Sequence, residues 1–198
     1  PEPAAAPRPE GELALTEALV AGAGRPVTLV ATGPLTNVAL LLRARPRIRD
    51  DVERICLMGG SLGEGNTTAS AEFNIWQDPE AAAIVFGSGI PVSMKGLDVT
   101  HRALFLEPDV ARLEALGTRV ARIWVDLLRF FAVYHHRRYG WDGSPIHDAV
   151  AVGHLAVPGL VTTELLRVDV ETAGELTRGR TVAGREGLRK LPPNVEVG

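Results

Sequence analysis

Polar side chains of the types that bind sugars lie close together just after a glycine-rich stretch, residues 59–65. They are Asn66, Glu72, Asn74 and Asp78. Sugar hydroxyls both donate and accept hydrogen bonds, so they suit carboxylates, which accept, and amides, which do both. The glycines predict a loop rather than a plain helix or strand. The stretch therefore indicates a loop that binds a polyhydroxylated ligand, and a solvated loop without a ligand is the alternative.

An adjacent histidine and aspartate, His147 and Asp148, begin an apolar helical run that continues to residue 157. This pair offers a proton donor and an anionic ligand at the rim of a core. The alternative for His147 is a structural histidine at the start of a helix, with its hydrogen bonds satisfied and no role in chemistry. The other four histidines, which are His101, His135, His136 and His154, are interpreted as structural or solvated.

Composition excludes several classes of function. The net charge of -3 and the absence of a basic patch argue against a nucleic-acid partner. The longest apolar stretch, residues 27–42, is interrupted at Gly33-Pro34, so no membrane span is predicted. The single cysteine, Cys56, lies in an apolar run, which predicts a buried and inert thiol and excludes a disulfide framework.

Strand and helix patterns alternate along the chain. Strands are predicted at residues 27–31, 52–58, 91–95 and 166–170, and helices at 12–22, 38–45, 79–86 and 147–157, with one or two long helices between residues 108 and 139. This alternation predicts an open, mostly parallel, Rossmann-like α/β sheet with helices on both faces. Sites on such sheets lie at the carboxyl ends of strands. We therefore expect Thr32, Gly59-Gly60 and residues 98–101 to meet residues 66–74 in one crevice.

Five motifs follow one another in order and spacing from about Pro26 to Asn194. They are residues 30–39 (VATGPLTNVA), residues 57–60 (LMGG), Gly65-Asn66 with residues 71–74 (AEFN) and 78–81 (DPEA), residues 96–101 (GLDVTH), and His147-Asp148. Together they resemble the successive signatures of the inosine/uridine-preferring nucleoside hydrolases. The resemblance implies an open α/β fold, here incomplete, and hydrolysis of the N-glycosidic bond of ribonucleosides to ribose and free base.

The resemblance also implies roles for the matched residues. A calcium ion would bind the ribose and the attacking water, with the Thr32 carbonyl and the Asp148 carboxylate among its ligands. His147 would protonate the leaving base, and His147 and Asp148 are the predicted catalytic pair. The predicted substrate-binding residues are Met58, Asn66, Glu72, Phe73, Asn74, Tyr134 and Tyr139. The two tyrosines would form an aromatic lid over the base, and half-buried packing is the alternative for them.

The chemistry of the reaction requires the same residue types. Cleavage of an N-glycosidic bond develops positive charge on the ribose, which nearby carboxylates stabilise. The base departs as a poor anion unless an acid meets it, and a positioned histidine contributes about 10² to 10⁴ in rate. A hard cation held by oxygen ligands can orient hydroxyls and lower the pKa of its water.

One departure from the family pattern concerns the metal. Members begin with an aspartate cluster of the form Asp-x-Asp-x-x-x-Asp-Asp, and only the unspaced pair Asp50-Asp51 is present here. Calcium takes about six to eight oxygens, so Thr32 and Asp148 fall short of a site. We therefore expect residues 1–198 to be a single nucleoside hydrolase domain truncated at both ends, with residues 1–11 a linker or loop. A degenerate, inactive paralogue is the alternative.

Two other classes of protein remain open. One is a non-catalytic module that binds ribose or nucleosides; the other is an unrelated Rossmann-like protein with a phosphate loop at residues 59–65. The second lacks the Gly-x-Gly-x-x-Gly spacing of such loops. On the favoured interpretation the enzyme is cytoplasmic, acts in nucleoside catabolism and nucleotide salvage, and forms a homo-oligomer, a dimer or a tetramer.

Overall fold

The computed structural model describes residues 11–184 and 191–198, apart from the Glu12 side chain. Its strands are β1 (Val27–Ala31), β2 (Val52–Met58), β3 (Val92–Lys95), β4 (Leu104–Leu106), β5 (Gly143–Pro145), β6 (Glu164–Val170), β7 (Thr181–Gly184) and β8 (Val195–Val197). Its α-helices are α1 (Gly11–Gly22), α2 (Thr36–Ala44), α3 (Phe73–Gln77), α4 (Pro79–Phe86), α5 (Leu97–Thr100), α6 (Glu107–Glu114), α7 (Arg119–Tyr139) and α8 (His147–Ala156). A 3₁₀ helix spans Pro46–Asp51.

Six strands form the main sheet in the order β1-β2-β3-β8-β6-β7. The first four of these are mutually parallel, and β6 and β7 complete the sheet in antiparallel pairs. Parallel neighbours need long crossover connections, and α2 and the pair α3–α4 provide them between β1, β2 and β3. The prediction of an open, mostly parallel sheet is confirmed.

Strand β2 shows why helices cover both faces of this sheet. Ile55 and Leu57 point into the larger core, which includes residues of α2 and α4, whereas Cys56 and Met58 point to the opposite face. There they pack with Ala151 of α8. Successive side chains of a strand alternate between faces, so the four consecutive apolar residues 55–58 need cover on both faces of the sheet. The Cys56 thiol is buried, donates to the Ala151 carbonyl at 3.4 Å, and has a pKa raised by burial.

A smaller unit carries the long helix α7. Strands β4 and β5 form an antiparallel pair, and Val110 of α6 packs with Val125 and Leu128 of α7. The buried Ser144 hydroxyl of β5 donates to the Leu128 carbonyl at 2.9 Å. These contacts hold α7 beside the carboxyl end of the main sheet.

The structure differs from the sequence-based expectations at several boundaries. Residues 73–77 form the short helix α3 inside a stretch predicted to be a loop, because Glu72 caps it. Residues 97–100 are helical rather than the end of a strand. Helix α1 begins at Gly11, so this residue is not part of a linker, and residues 1–10 of the predicted linker lie outside the described residues. Within the described part of the chain, no helix is long and apolar enough to cross a membrane.

Candidate active site

A cavity of about 700 Å³ opens at the carboxyl ends of β1 and β2, between α3, α7 and the start of α8. All the residues predicted to be catalytic, substrate-binding or metal-binding line it: Thr32, Met58, Asn66, Glu72, Phe73, Asn74, Tyr134, Tyr139, His147 and Asp148. Of the other residues expected in the crevice, His101 lines the cavity, whereas Gly59, Gly60 and Asp98 do not. Asp78 is absent from this lining. It instead caps α4, accepting from the Ala81 N–H at 3.0 Å and from the Thr36 hydroxyl at 2.6 Å.

Glu72 is buried at the floor of the cavity. Its Oε2 atom accepts the backbone N–H groups of Gly60, Asn74 and Ile75 at 2.9, 2.9 and 3.2 Å. Burial raises the pKa of this carboxyl, and the three N–H bonds oppose that rise. No partner of Oε1 is found among the described residues, so this oxygen remains able to accept a hydrogen bond from a ligand.

In each of two amide side chains near Glu72, one polar atom is hydrogen-bonded within the part of the chain that the structure describes and the other is not. Asn74 donates its Nδ2 atom to the Met58 carbonyl at 3.0 Å, with the Met58 sulfur at 3.5 Å. Asn66 accepts the Phe73 N–H on its Oδ1 atom at 2.9 Å. Among the described residues, Oδ1 of Asn74 and Nδ2 of Asn66 have no partner. The cavity therefore offers an acceptor from Asn74 and a donor from Asn66, which together suit vicinal hydroxyls.

A turn of two glycines after β2 lets the backbone reach Glu72. Gly60 has φ +78°, and a Cβ there would lie 2.8 Å from the Met94 sulfur and 2.9 Å from the Thr181 Cγ2 atom. Its carbonyl accepts the Leu97 N–H at 2.9 Å. The glycine is required by both conformation and space.

His147 begins α8 at the cavity wall. Its Nδ1 atom lies 2.7 Å from the Thr100 hydroxyl, and its ring centroid lies 5.6 Å from that of His101, close to edge-on. Burial, with smaller contributions from His101 and His135, lowers the pKa of His147 to about 4. The ring is therefore neutral at pH 7 when the cavity holds no ligand.

Asp148 and Thr32 are the predicted metal ligands, and both line the cavity. Burial raises the pKa of Asp148. No cluster of three or more acidic, histidine or cysteine side chains suited to a metal occurs within the described ranges. Two oxygen donors do not complete the six to eight or so that calcium takes. The described residues therefore fit only part of such a site.

One face of α7 supplies cavity residues that the sequence analysis missed. Trp124, Leu128, Phe131 and His135 are spaced by three or four residues and continue to the predicted Tyr139, and all line the cavity. Such spacing puts side chains on one face of a helix, so this periodicity was a usable signal.

His101 and His135, which were interpreted as structural or solvated, also line the cavity. Both belong to an aromatic cluster. The His135 ring stacks 5.8 Å from Trp141, and the His101 ring lies edge-on to Trp141 at 4.8 Å. One wall of the cavity is thus built of rings, which suits a planar heterocyclic ligand.

Comparison with known proteins agrees with this geometry. The family described as inosine-uridine preferring nucleoside hydrolase matches residues 1–198. A pyrimidine-specific ribonucleoside hydrolase RihA from Shewanella woodyi is 45% identical over the whole chain, which covers 64% of that protein. The RihA of Escherichia coli O9:H4 is 46% identical, again with 64% covered. The chain thus spans a little under two thirds of the length of these relatives.

Solved structures show the same fold. A purine-preferring ribonucleoside hydrolase from Gardnerella vaginalis superposes with a TM-score of 0.87 at 34% identity, covering 100% of this chain and 63% of that one. A plant nucleoside hydrolase superposes with a TM-score of 0.81 at 28% identity, covering 90% and 59% of the two chains.

Proposed function

Because the chain belongs to the family of inosine-uridine preferring nucleoside hydrolases, we propose that the complete protein hydrolyses the N-glycosidic bond of ribonucleosides to ribose and free base. The observation that supports this most directly is the cavity itself. It combines unpaired polar atoms of Glu72, Asn74 and Asn66 with the His147-Asp148 pair and a wall of aromatic rings.

The proposed division of labour follows from these positions. Glu72 and Asn74 would accept hydrogen bonds from ribose hydroxyls, and Asn66 would donate one. Met58 and Phe73 would pack against the sugar, and Tyr134 and Tyr139 against the base. The carboxylates of Glu72 and Asp148 would stabilise the positive charge that develops on the ribose as the bond breaks.

The departing base would meet His147. In the unliganded protein the pKa of His147 is about 4, so a proton-donor role requires that the approaching base raise it. Negative charge developing on the base does this, because an anion nearby favours the imidazolium form. Even neutral, the ring can donate a hydrogen bond to the base from a protonated nitrogen.

We propose pyrimidine ribonucleosides as the preferred substrates, since the relatives at 44–47% identity are named pyrimidine-specific. The purine-preferring hydrolase is more distant, at 34%. The ratio of kcat/KM for uridine and inosine tests this preference, and a ratio that favours inosine would contradict it.

Calcium remains a proposal, with Asp148 and the Thr32 carbonyl as two of its ligands. Calorimetric titration of the complete protein with calcium tests it: we expect binding that Asp148→Ala weakens. The cytoplasmic location, the role in salvage and the homo-oligomeric state stay predictions.

The decisive experiment measures ribose released from uridine, cytidine and inosine by the complete protein, with Asp148→Ala as the inactive control. Release that the control lacks supports the hydrolase. Nucleoside binding without release would instead support the alternative, a non-catalytic nucleoside-binding module. If the protein neither binds nucleosides nor releases ribose from them, both proposals are rejected.

A further inference from the structure

A buried hydroxyl lies behind the His147 ring. Thr100, in α5, is fully buried, and its Oγ1 atom is 2.7 Å from Nδ1 of His147, across 47 positions of sequence. This is the one side-chain hydrogen bond of His147 found among the described residues, and it involves Nδ1 rather than Nε2.

The direction of this hydrogen bond follows from the surroundings of Thr100. A buried hydroxyl proton must have an acceptor. Within residues 11–184 and 191–198, Nδ1 of His147 is the acceptor found for it. The hydroxyl therefore donates, and Nδ1 accepts with its lone pair. In a neutral imidazole one nitrogen accepts and the other carries the proton, so the proton lies on Nε2.

Nε2 of His147 has no protein partner among the described residues, while the side chain lines the cavity. The Thr100 hydroxyl orients the imidazole, and the His101 ring packs close to edge-on against it at 5.6 Å. A fixed N–H group at this wall is available to an acceptor atom of a ligand.

We propose that Thr100 is a positioning residue that holds His147 in the tautomer with its proton on Nε2, so that the ring donates a hydrogen bond to the departing base. The base as recipient rests on the proposed function, whereas the tautomer does not. As the C–N bond breaks, its electron pair goes to the base, and an N–H donor at that point stabilises the negative charge.

The tautomer is tested without any substrate. Nitrogen-15 chemical shifts of the histidine rings distinguish a bare from a protonated ring nitrogen, and His147→Gln assigns the signals in the complete protein at pH 7.5. We expect a bare Nδ1 and a protonated Nε2. Protonated Nδ1 in the wild type would overturn the proposal whether or not the protein is an enzyme.

Two substitutions of Thr100 test its effect on catalysis. Thr100→Val keeps the shape of the side chain but removes the hydroxyl, and Thr100→Ser keeps the hydroxyl. For uridine we expect Thr100→Val to lower kcat about tenfold or more with a smaller change in KM, and Thr100→Ser to restore most of it. For p-nitrophenyl riboside, whose leaving group departs without help, both variants should stay within about twofold of wild type.

Each other outcome is informative. Equal losses on both substrates would show that Thr100 serves packing alone and would overturn the positioning role. If Thr100→Val does not fold, Thr100→Ala removes the hydroxyl in its place, and the wild-type spectrum still decides the tautomer. If the wild type releases no ribose from any nucleoside, the proposed function fails, and the nitrogen shifts still decide the tautomer.

Discussion

At the scale of single residues, the carboxyl group of Glu72 divides its two oxygens between the fold and the cavity. Oε2 accepts three backbone N–H groups and caps α3, while Oε1 has no partner among the described residues. The sequence predicts that Glu72 lies in a loop that binds a ligand, and a polar side chain in such a loop contributes to ligand binding more than to stability. Because Glu72 is buried and accepts three hydrogen bonds, we expect it to contribute to the stability of the fold as well as to ligand binding.

Substitutions of Glu72 should separate these two functions. Glu72→Ala removes the cap and leaves buried N–H groups unpaired, so we expect it to lower the free energy of unfolding by about 2 kcal/mol or more. Glu72→Gln retains an accepting oxygen and should cost less than half of that, yet both should weaken ribose binding. Thermal unfolding and a ribose titration measure the two effects. A fully stable alanine variant would refute the capping role.

His147 should act on the leaving group alone. We expect His147→Ala to lower kcat for nucleosides by about 10² or more, while p-nitrophenyl riboside is nearly unaffected, because p-nitrophenolate leaves without a proton. Asp148→Ala should depress both substrates, because its carboxylate serves the ribose whichever group departs. Steady-state kinetics on both substrates measure this, and parallel losses for the histidine variant would point to folding or positioning instead.

At the scale of elements, the turn after β2 determines where Glu72 and Asn74 meet the sheet. Gly60 holds φ +78°, its N–H reaches Glu72, and its carbonyl holds the start of α5. Both the cavity floor and the helix that carries Thr100 thus depend on this one turn.

A matched pair of glycines tests that dependence. Gly89→Ala, at φ +82° in open space, should cost only the left-handed conformation, about 1–2 kcal/mol. Gly60→Ala adds a Cβ within 2.8 Å of the Met94 sulfur, and this overpacking should add about 1–3 kcal/mol. Chemical denaturation of both variants gives the difference. Equal losses would mean that the turn relaxes and that space around Gly60 is not limiting.

At the scale of the whole molecule, a lysine is buried between the main sheet and helix α8. Lys95 of β3 is fully buried, and no hydrogen-bond partner of its Nζ atom is found among the described residues. Burial lowers the pKa of Lys95 below its ordinary 10.5. A buried amine without a partner destabilises the folded state.

Lys95→Met should therefore stabilise the protein, by about 1–3 kcal/mol at pH 7. The pKa is lower in the folded state, so the unfolded state binds more protons between the two pKa values, and wild-type stability rises with pH there. The advantage of the methionine variant should shrink as the pH approaches 10.5. Lys95→Arg, which keeps its charge, should lose stability without recovering at high pH. Unfolding curves from pH 7 to 10 measure this, and a constant difference would contradict it.

The sequence by itself determined the elements and much of the site. The apolar runs at residues 27–31 and 52–58 predicted the bounds of β1 and β2 correctly, because the pattern of apolar residues along a strand is a local property of the sequence. The Asp78-Pro79 start of α4 followed from capping chemistry alone. Parallel strands end at one edge of a sheet, which is why Thr32 and residues 66–74 could be placed in one crevice. His147 and Asp148 were assigned to the site through the family resemblance.

Only the tertiary structure decided which side chains face the cavity and which of them form hydrogen bonds with one another. Which face of α7 meets the cavity depends on its packing against α6 and β5, so His135 and Trp124 could not be assigned from their types. The contact of Thr100 with His147 joins two short helices through the fold. Local propensity carries no information about such pairs, because their distance is determined by how the sheet and its helices pack together.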